Sequence, residues 1–395
     1  MTSDLGLPPR RELPPEVRAR LRASVMQGIR PRRTASLTVT AAVVLVGLFV
    51  SVVLFVRPHG GGRVAVEPGM DAALAQSTLD RCRDALQHAG KRVLDWIPVF
   101  TLQDSQLAQT MVAAEVHGKP VFCLATATTV TVSDPDAVPR YLPGTKTAIL
   151  LRTPTGAVAG VADPAWDGVD VVVSGAGLQR STFSPRSHAF ALFATASAGA
   201  SVSAAEHTET GGLGVVLPPA PGPLLSTVDR PVTADRSSPA GAFLGRCLAR
   251  SDVQIPDGDA YQAGAYLADS EDELVVARFG ARAMVCLASP VYHACIVCFV
   301  PVKDPALVVD AIQFGGSVIE GSAGQRPVLA GIVPPSATRV TVTLPNGQPQ
   351  DAVYANGTFL IQLPSMAASD HHPEARVQGF DATGKVVCDR AFNLQ

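Results

Sequence analysis

The hydrophobic pattern has one dominant feature, the unbroken apolar run LTVTAAVVLVGLFVSVVLFV from Leu37 to Val56. Fourteen of its positions are Val, Leu or Phe, and no charge falls between Arg33 and Arg57. About 20 helical residues cross roughly 30 Å of hydrocarbon, so the run predicts a transmembrane helix over 37–56. Its many β-branched residues form helix poorly in water. In lipid a lone span must still be helical, because only a helix satisfies its own backbone. A cleaved signal peptide is the rival use of such a run. The leader is long for that, and the run exceeds an h-region of about 7–15 residues. Arg57-Pro58-His59 stands where a small-residue cleavage site would be.

Ahead of the run the period changes. Val17, Leu21, Val25 and Ile29 recur at helical spacing among Arg18, Arg20 and Arg22, after Pro14-Pro15-Glu16 and before Pro31. Proline and an acid in the first turn predict a short amphipathic basic helix. Such a helix lies on anionic lipid. Its other use is to dock into a cytoplasmic partner through Val17, Leu21, Val25 and Ile29.

Past Arg57 the pattern turns polar and glycine-rich, then alternates as strands do. TMVAAEVHGKPVFCLAT (110–126) alternates around a turn at His117-Gly118-Lys119-Pro120, and Arg339 to Leu344 and TFLIQL (358–363) alternate again. Asn346-Gly347 and Asn356-Gly357 are the strongest hairpin signals.

These segments recur. LDRC (79–82) matches LGRC (244–247), and VFCLA (121–125) matches MVCLA (284–288). SDPDAV (133–138) resembles KDPALV (303–308), and VAGVADPAWDGVDVVV (158–173) overlies LAGIVPPSATRVTVTL (329–344) without a gap. Shared order at similar offsets predicts an internal duplication. The expected layout is a basic cytoplasmic segment (1–36), the membrane helix (37–56), a tether (57–76), repeat one (77–217), a Pro-rich semi-extended linker (218–241) and repeat two (242–395). The expected fold class is mainly β with some α (α+β). One transmembrane helix leads two modules, each a helix with antiparallel strands and a small immunoglobulin-like β part.

All seven cysteines lie beyond the run, in an oxidising compartment if the body is exported. Cys82 and Cys123 correspond to Cys247 and Cys286, which predicts the bonds Cys82–Cys123 and Cys247–Cys286. Cys295, Cys298 and Cys388 have no counterparts in repeat one. One of the first two is expected to pair with Cys388. The CIVC spacing lacks the βαβ context of a redox motif.

Charge then fixes orientation. Eight arginines and three acids precede the run, a net of +5, which leaves −7 for the remainder of a chain of net charge −2. The positive-inside rule puts the N-terminus in the cytoplasm and the C-terminus outside. A mildly acidic body argues against nucleic acid as its partner. No P-loop, HExxH, GxSxG or complete GxGxxG is present. His371-His372, His293 with its neighbouring cysteines, and the acidic run Asp269 to Glu273 lack the spacing of metal sites. No catalytic, cofactor-binding or metal residue is therefore expected, and no cofactor.

The segment LPPEVRARLRASVMQGI, the apolar run, and the VAGV…VDVVV and LAGI…VTVTL stretches together resemble the layout of uncharacterised single-span membrane proteins of high-GC Gram-positive (actinobacterial) bacteria. Some proteins of similar layout are anti-sigma factors, from which this chain departs in its very short cytoplasmic part. The expectation is a non-enzymatic module anchored in the cell membrane by one span, binding or sensing an envelope ligand or protein. The alternative is an anti-sigma-like transmembrane regulator whose cytoplasmic helix, residues 15–29, holds a partner.

Overall fold

The computed structural model describes residues 69–395 apart from 94, 106, 198, 208–213, 252, 269–272, 290–291, 301–310, 315–327, 345–346, 363–373 and 394–395, and without the side chains of 289, 292–300, 311–314 and 392–393. Helix α1 (Ala72–His88) opens on Asp71, whose carboxylate accepts from the Leu74 amide at 3.0 Å. One face of α1, formed by Ala75, Leu79, Cys82 and Leu86, is buried. Strands β1 (Ile97–Asp104), β2 (Gln109–Val116), β3 (Lys119–Ala125) and β4 (Thr129–Val132) follow as an antiparallel meander. His117 and Gly118 both have positive φ in the β2–β3 turn, as a tight hairpin requires.

Next come β5 (Ala148–Arg152), β6 (Ala157–Val161), β7 (Val169–Val173), β8 (Gly177–Arg180), β9 (Thr182–Phe183), β10 (Ala189–Phe193), β11 (Val202–Glu206) and β12 (Val215–Val216). They form two four-stranded sheets, ordered β5-β6-β10-β9 and β12-β11-β7-β8. The two face each other over Val158, Phe190 and Leu192 on one side and Val171, Val173 and Val202 on the other. The layers stack in sequence. Helix α1 covers one face of the meander through Leu79, Cys82, Val112 and Cys123. The opposite face, with Phe100, Met111 and Phe122, rests on Leu151, Ala159 and Ala191 of the next sheet. The meander is thus covered on both sides, which is why VFCLA is apolar at every position.

The second half repeats this order. Helix α2 (Pro239–Arg250) starts on Ser238, whose hydroxyl accepts from the Gly241 amide at 3.1 Å. After β13 (Leu225–Val228), which precedes α2, the strands are β14 (Gln262–Ala268), β15 (Glu273–Phe279), β16 (Arg282–Ser289) and β17 (Tyr292–Val300). Then follow β18 (Ala311–Phe314), β19 (Val328–Ile332), β20 (Arg339–Thr343), β21 (Gln350–Asp351), β22 (Val353–Ala355), β23 (Thr358–Gln362), β24 (Glu374–Phe380) and β25 (Val386–Asn393). The sheets are β14-β15-β16-β17, β18-β19-β23-β22 and β21-β20-β24-β25, which match those of the first half strand for strand. The cores match as well: α2 on the meander, the meander on the next sheet, and that sheet on the last. Asn356 and Gly357 supply the positive φ values of the β22–β23 hairpin.

Strand β13 breaks the symmetry. It pairs with β4 as a fifth strand, Leu225 opposite Val132 and Val228 opposite Thr129. Part of the stretch read from sequence as a semi-extended linker is therefore built into the first sheet. Pro221, Pro223 and Pro231 flank it, and prolines are tolerated there because β13 is an edge.

The expected fold class is corrected in its leading element. The described chain is mostly β, in six small antiparallel sheets with two helices, and neither helix is long and apolar enough to cross a membrane. At 17 and 12 residues both are shorter than the roughly 20 a span needs. Each is also amphipathic, with a buried stripe against a sheet. The run 37–56 lies outside the described residues, as do Val17, Leu21, Val25, Ile29 and His371-His372.

Both expected disulfides are formed. Cys82–Cys123 and Cys247–Cys286 join the helix of each half to the third strand of its meander, with Cα atoms 6.3 Å and 6.2 Å apart. Cys388 is a correction: it is a free, buried thiol. It lies on β25 opposite Gly379, inside the last pair of sheets, whereas Cys295 and Cys298 lie on β17 in the sheet beneath α2. Burial pushes the Cys388 thiol up, which keeps it protonated.

Candidate binding cleft between the halves

The halves meet at the turn Thr126-Ala127-Thr128 between β3 and β4. Asp257, from the segment between α2 and β14, inserts a fully buried carboxylate into it. Asp257 Oδ1 accepts from Thr126 Oγ1 at 2.5 Å, Thr128 Oγ1 at 2.6 Å and the Thr128 amide at 2.9 Å. Its Oδ2 accepts from the Ala127 amide at 3.1 Å and from Arg282 Nη2 at 2.9 Å. Burial alone would raise the pKa of this carboxyl. The Thr126 and Thr128 hydroxyls, the Thr128 amide and Arg282 outweigh it and hold the carboxyl below its ordinary value. Asp257 sits in the left-handed region, φ 56°, where aspartate is among the better-tolerated residues.

Arg282, on β16, is the second half of the clasp. Its Nη1 donates to the Leu107 carbonyl of the first half at 3.1 Å. The guanidinium lies 4.8 Å from the Phe279 ring centroid and 5.7 Å from that of Tyr261. Burial raises the Tyr261 phenol to about 12, so it stays neutral beside the ion pair. The same turn is gripped from its other side by Arg81 of α1. That guanidinium donates to the Thr126 carbonyl at 2.5 Å and takes the Asp229 carboxylate in a fork at 2.6 Å and 2.7 Å. Donors of the turn go to Asp257 and an acceptor goes to Arg81, so both charged groups hold one backbone conformation.

Beside the clasp lies a cleft of about 720 Å³. Its floor is the face of β4 and β13 turned away from α1. Cross-strand register puts Thr131 beside Ser226 and Thr129 beside Val228. The Thr131 and Ser226 hydroxyls are 3.0 Å apart. One wall is the β5–β6 turn with Thr153 and Thr155, and the other is the Gln254 to Asp259 segment of the second half. Behind the first wall, Thr155 Oγ1 donates to the buried Gln109 Oε1 at 3.2 Å, and Gln109 Nε2 has no hydrogen-bond partner. The cleft thus offers hydroxyl groups, each able to donate and accept. The Asp257 carboxylate is committed to five donors and acts as a clasp rather than a base.

A second groove, of about 590 Å³, runs between α1 and β13 past Asp80, Asp84 and His88. His88 Nδ1 lies 2.7 Å from the Asp84 carbonyl, and no cluster of metal-ligating side chains occurs among the described residues.

Of the residues singled out from sequence, the four paired cysteines fix α1 and α2, the elements that carry Arg81 and flank the cleft. Cys388 is remote from it. Sequence reading missed Asp257, Arg282, Arg81, Asp229, Thr126 and Thr128. The one available signal was Asp257-Gly258 in IPDGDA, which reads as an ordinary turn, and its partner turn lies about 130 positions earlier. In comparison with known proteins, the chain matches no family model and no curated protein.

Proposed function

We propose that this chain is an exported binding module of the cell envelope, and that its ligand is an uncharged, hydroxyl- or amide-bearing molecule held in the cleft between the halves. The observation that carries the reading is the clasped cleft. A hydroxyl-lined site at the junction of two bodies is fixed in shape by Asp257, Arg282 and Arg81, and sites of this kind favour domain junctions. Export is supported by the two disulfides, since such bonds persist in oxidising compartments. The neutral ligand follows from the floor, where Thr129, Thr131 and Ser226 present hydroxyls, from Asp257 being already neutralised, and from the walls, where one cation, Arg152, is balanced by one anion, Asp259.

The test is calorimetric titration of the full-length chain with soluble neutral glycan fragments, N-acetylated and unacetylated. Saturable binding is expected. Thr131→Val together with Ser226→Ala should weaken it about tenfold, as two hydrogen bonds of roughly 0.5–1.5 kcal/mol each imply. No saturable heat with any neutral fragment, or undiminished affinity in the double variant, would overturn the assignment.

A further inference from the structure

A lone hydroxyl can both donate and accept, but the hydroxyls at the clasped turn have partners that remove this freedom unequally. Asp257 sets the direction. Its carboxylate takes five donors, one of them the Arg282 guanidinium, so it carries no proton of its own and can only accept. Thr126 Oγ1 lies 2.5 Å from Asp257 Oδ1 and 2.8 Å from Thr129 Oγ1. It has one proton to give. Given to Thr129, that proton would leave two bare oxygens face to face, one of them a buried anion, so it goes to Asp257. Thr126 Oγ1 is then an acceptor toward everything else, the Thr129 amide at 3.0 Å included. The bond between the two hydroxyls must therefore run from Thr129 to Thr126.

The consequence lies in the cleft. Thr129 is half-buried and lines the floor. Its proton points into the turn, which leaves only lone pairs for the cleft, and no donor among the described residues reaches Thr129 Oγ1 from the cleft side. The neighbouring position on the same strand differs. The Thr131 and Ser226 hydroxyls are 3.0 Å apart with no anion behind them, and whichever of the two donates, the other keeps its proton. Arg152, on the wall, has donors only. The requirement for a donor is thus confined to Thr129.

We propose that the floor of the cleft reads a hydrogen-bond donor at Thr129: the ligand carries an O–H or N–H that it gives to Thr129 Oγ1, and Asp257 and Thr126 are positioning residues that fix this polarity from behind. This rests on the cleft being a site for a neutral hydroxyl- or amide-bearing molecule, and it narrows that class. A molecule of the same shape with only acceptors at that point, an ether or an ester, sets lone pairs against lone pairs. A site built to take a donor rejects the analogue lacking it, because its own acceptor is left unpaired.

The test is calorimetric titration of the full-length chain, in a sugar-free polyoxyethylene detergent, with cellobiose and N,N′-diacetylchitobiose. Each is compared with analogues that lose one donor at a time and keep their size: single hydroxyls replaced by fluorine, and the acetamide N–H by an ester oxygen. One such replacement is expected to weaken binding at least about tenfold. Thr129→Val, which keeps a branched side chain on the strand, should weaken the parent by a similar factor and bring parent and analogue within about threefold of each other. Thr129→Ser should keep the wild-type ratio. A parent that binds while every analogue binds within about threefold of it, or a penalty that persists in Thr129→Val, would overturn the donor requirement and leave the cleft itself standing as the binding site. No saturable binding of either parent would overturn both.

Discussion

Replacing Asp257 with alanine is expected to destabilise the chain by about 3–5 kcal/mol, the usual cost of breaking a buried ion pair from one side. The variant leaves Arg282, whose side chain is 15% exposed, without its carboxylate, and strands the Thr128 hydroxyl, while Thr126 keeps its bond to the Thr129 hydroxyl. Alanine also fits the left-handed backbone at this position poorly. Because these bonds run between the halves, unfolding should separate into two transitions in calorimetry. Asp257→Asn is the cleaner variant: it keeps shape and tolerates the backbone, but loses the charge-assisted bonds, worth about 1.5–3 kcal/mol.

The pH dependence of the same group has a definite sign. The folded carboxyl lies below its ordinary value of 3.8. Its contribution is therefore present above that value and is lost as pH falls through the lower folded one. Acid denaturation of the wild type should show this loss, and Asp257→Asn should show a flatter acid limb. A single cooperative transition with wild-type midpoint in Asp257→Ala would mean that the clasp does not couple the halves.

Removing either disulfide is the second large effect. The bonds close loops with separations of 41 and 39 residues. On the chain-entropy account each stabilises by about 4 kcal/mol. Cys247→Ala with Cys286→Ala should therefore cost nearly as much as Cys82→Ala with Cys123→Ala, read as urea midpoints at unchanged slope. The helices magnify the consequence. Each is held to its sheet by one buried stripe, and α1 carries Arg81, so loss of Cys82–Cys123 should also loosen the turn that receives Asp257. A cost below about 1 kcal/mol would mean that packing alone fixes the helices.

The disulfides were legible because each cysteine recurs with the same neighbours, LDRC with LGRC and VFCLA with MVCLA. The Asn356-Gly357 turn was legible from its backbone preference alone. Strand β13 was not, because Pro221, Pro223 and Pro231 mark a linker unless the segment between them joins a sheet edge. The expected partner of Cys388 failed for a related reason. Counting cysteines pairs them without regard to which sheet each occupies, and Cys388 belongs to a core separate from β17. The run 37–56 has the composition of a span, yet the fold that is described consists of sheets and two short amphipathic helices. The clasp left only an ordinary-looking turn, Asp257-Gly258: a single aspartate there gains its meaning only when threonines from the other half close around it.

The most direct test is peptide mass mapping of the protein taken from its native cells, with free thiols trapped by alkylation before any reduction. An exported module with this fold predicts Cys82 linked to Cys123, Cys247 linked to Cys286, and Cys388 alkylated only after unfolding. Free thiols at all four paired positions would place the body in a reducing compartment and contradict the assignment.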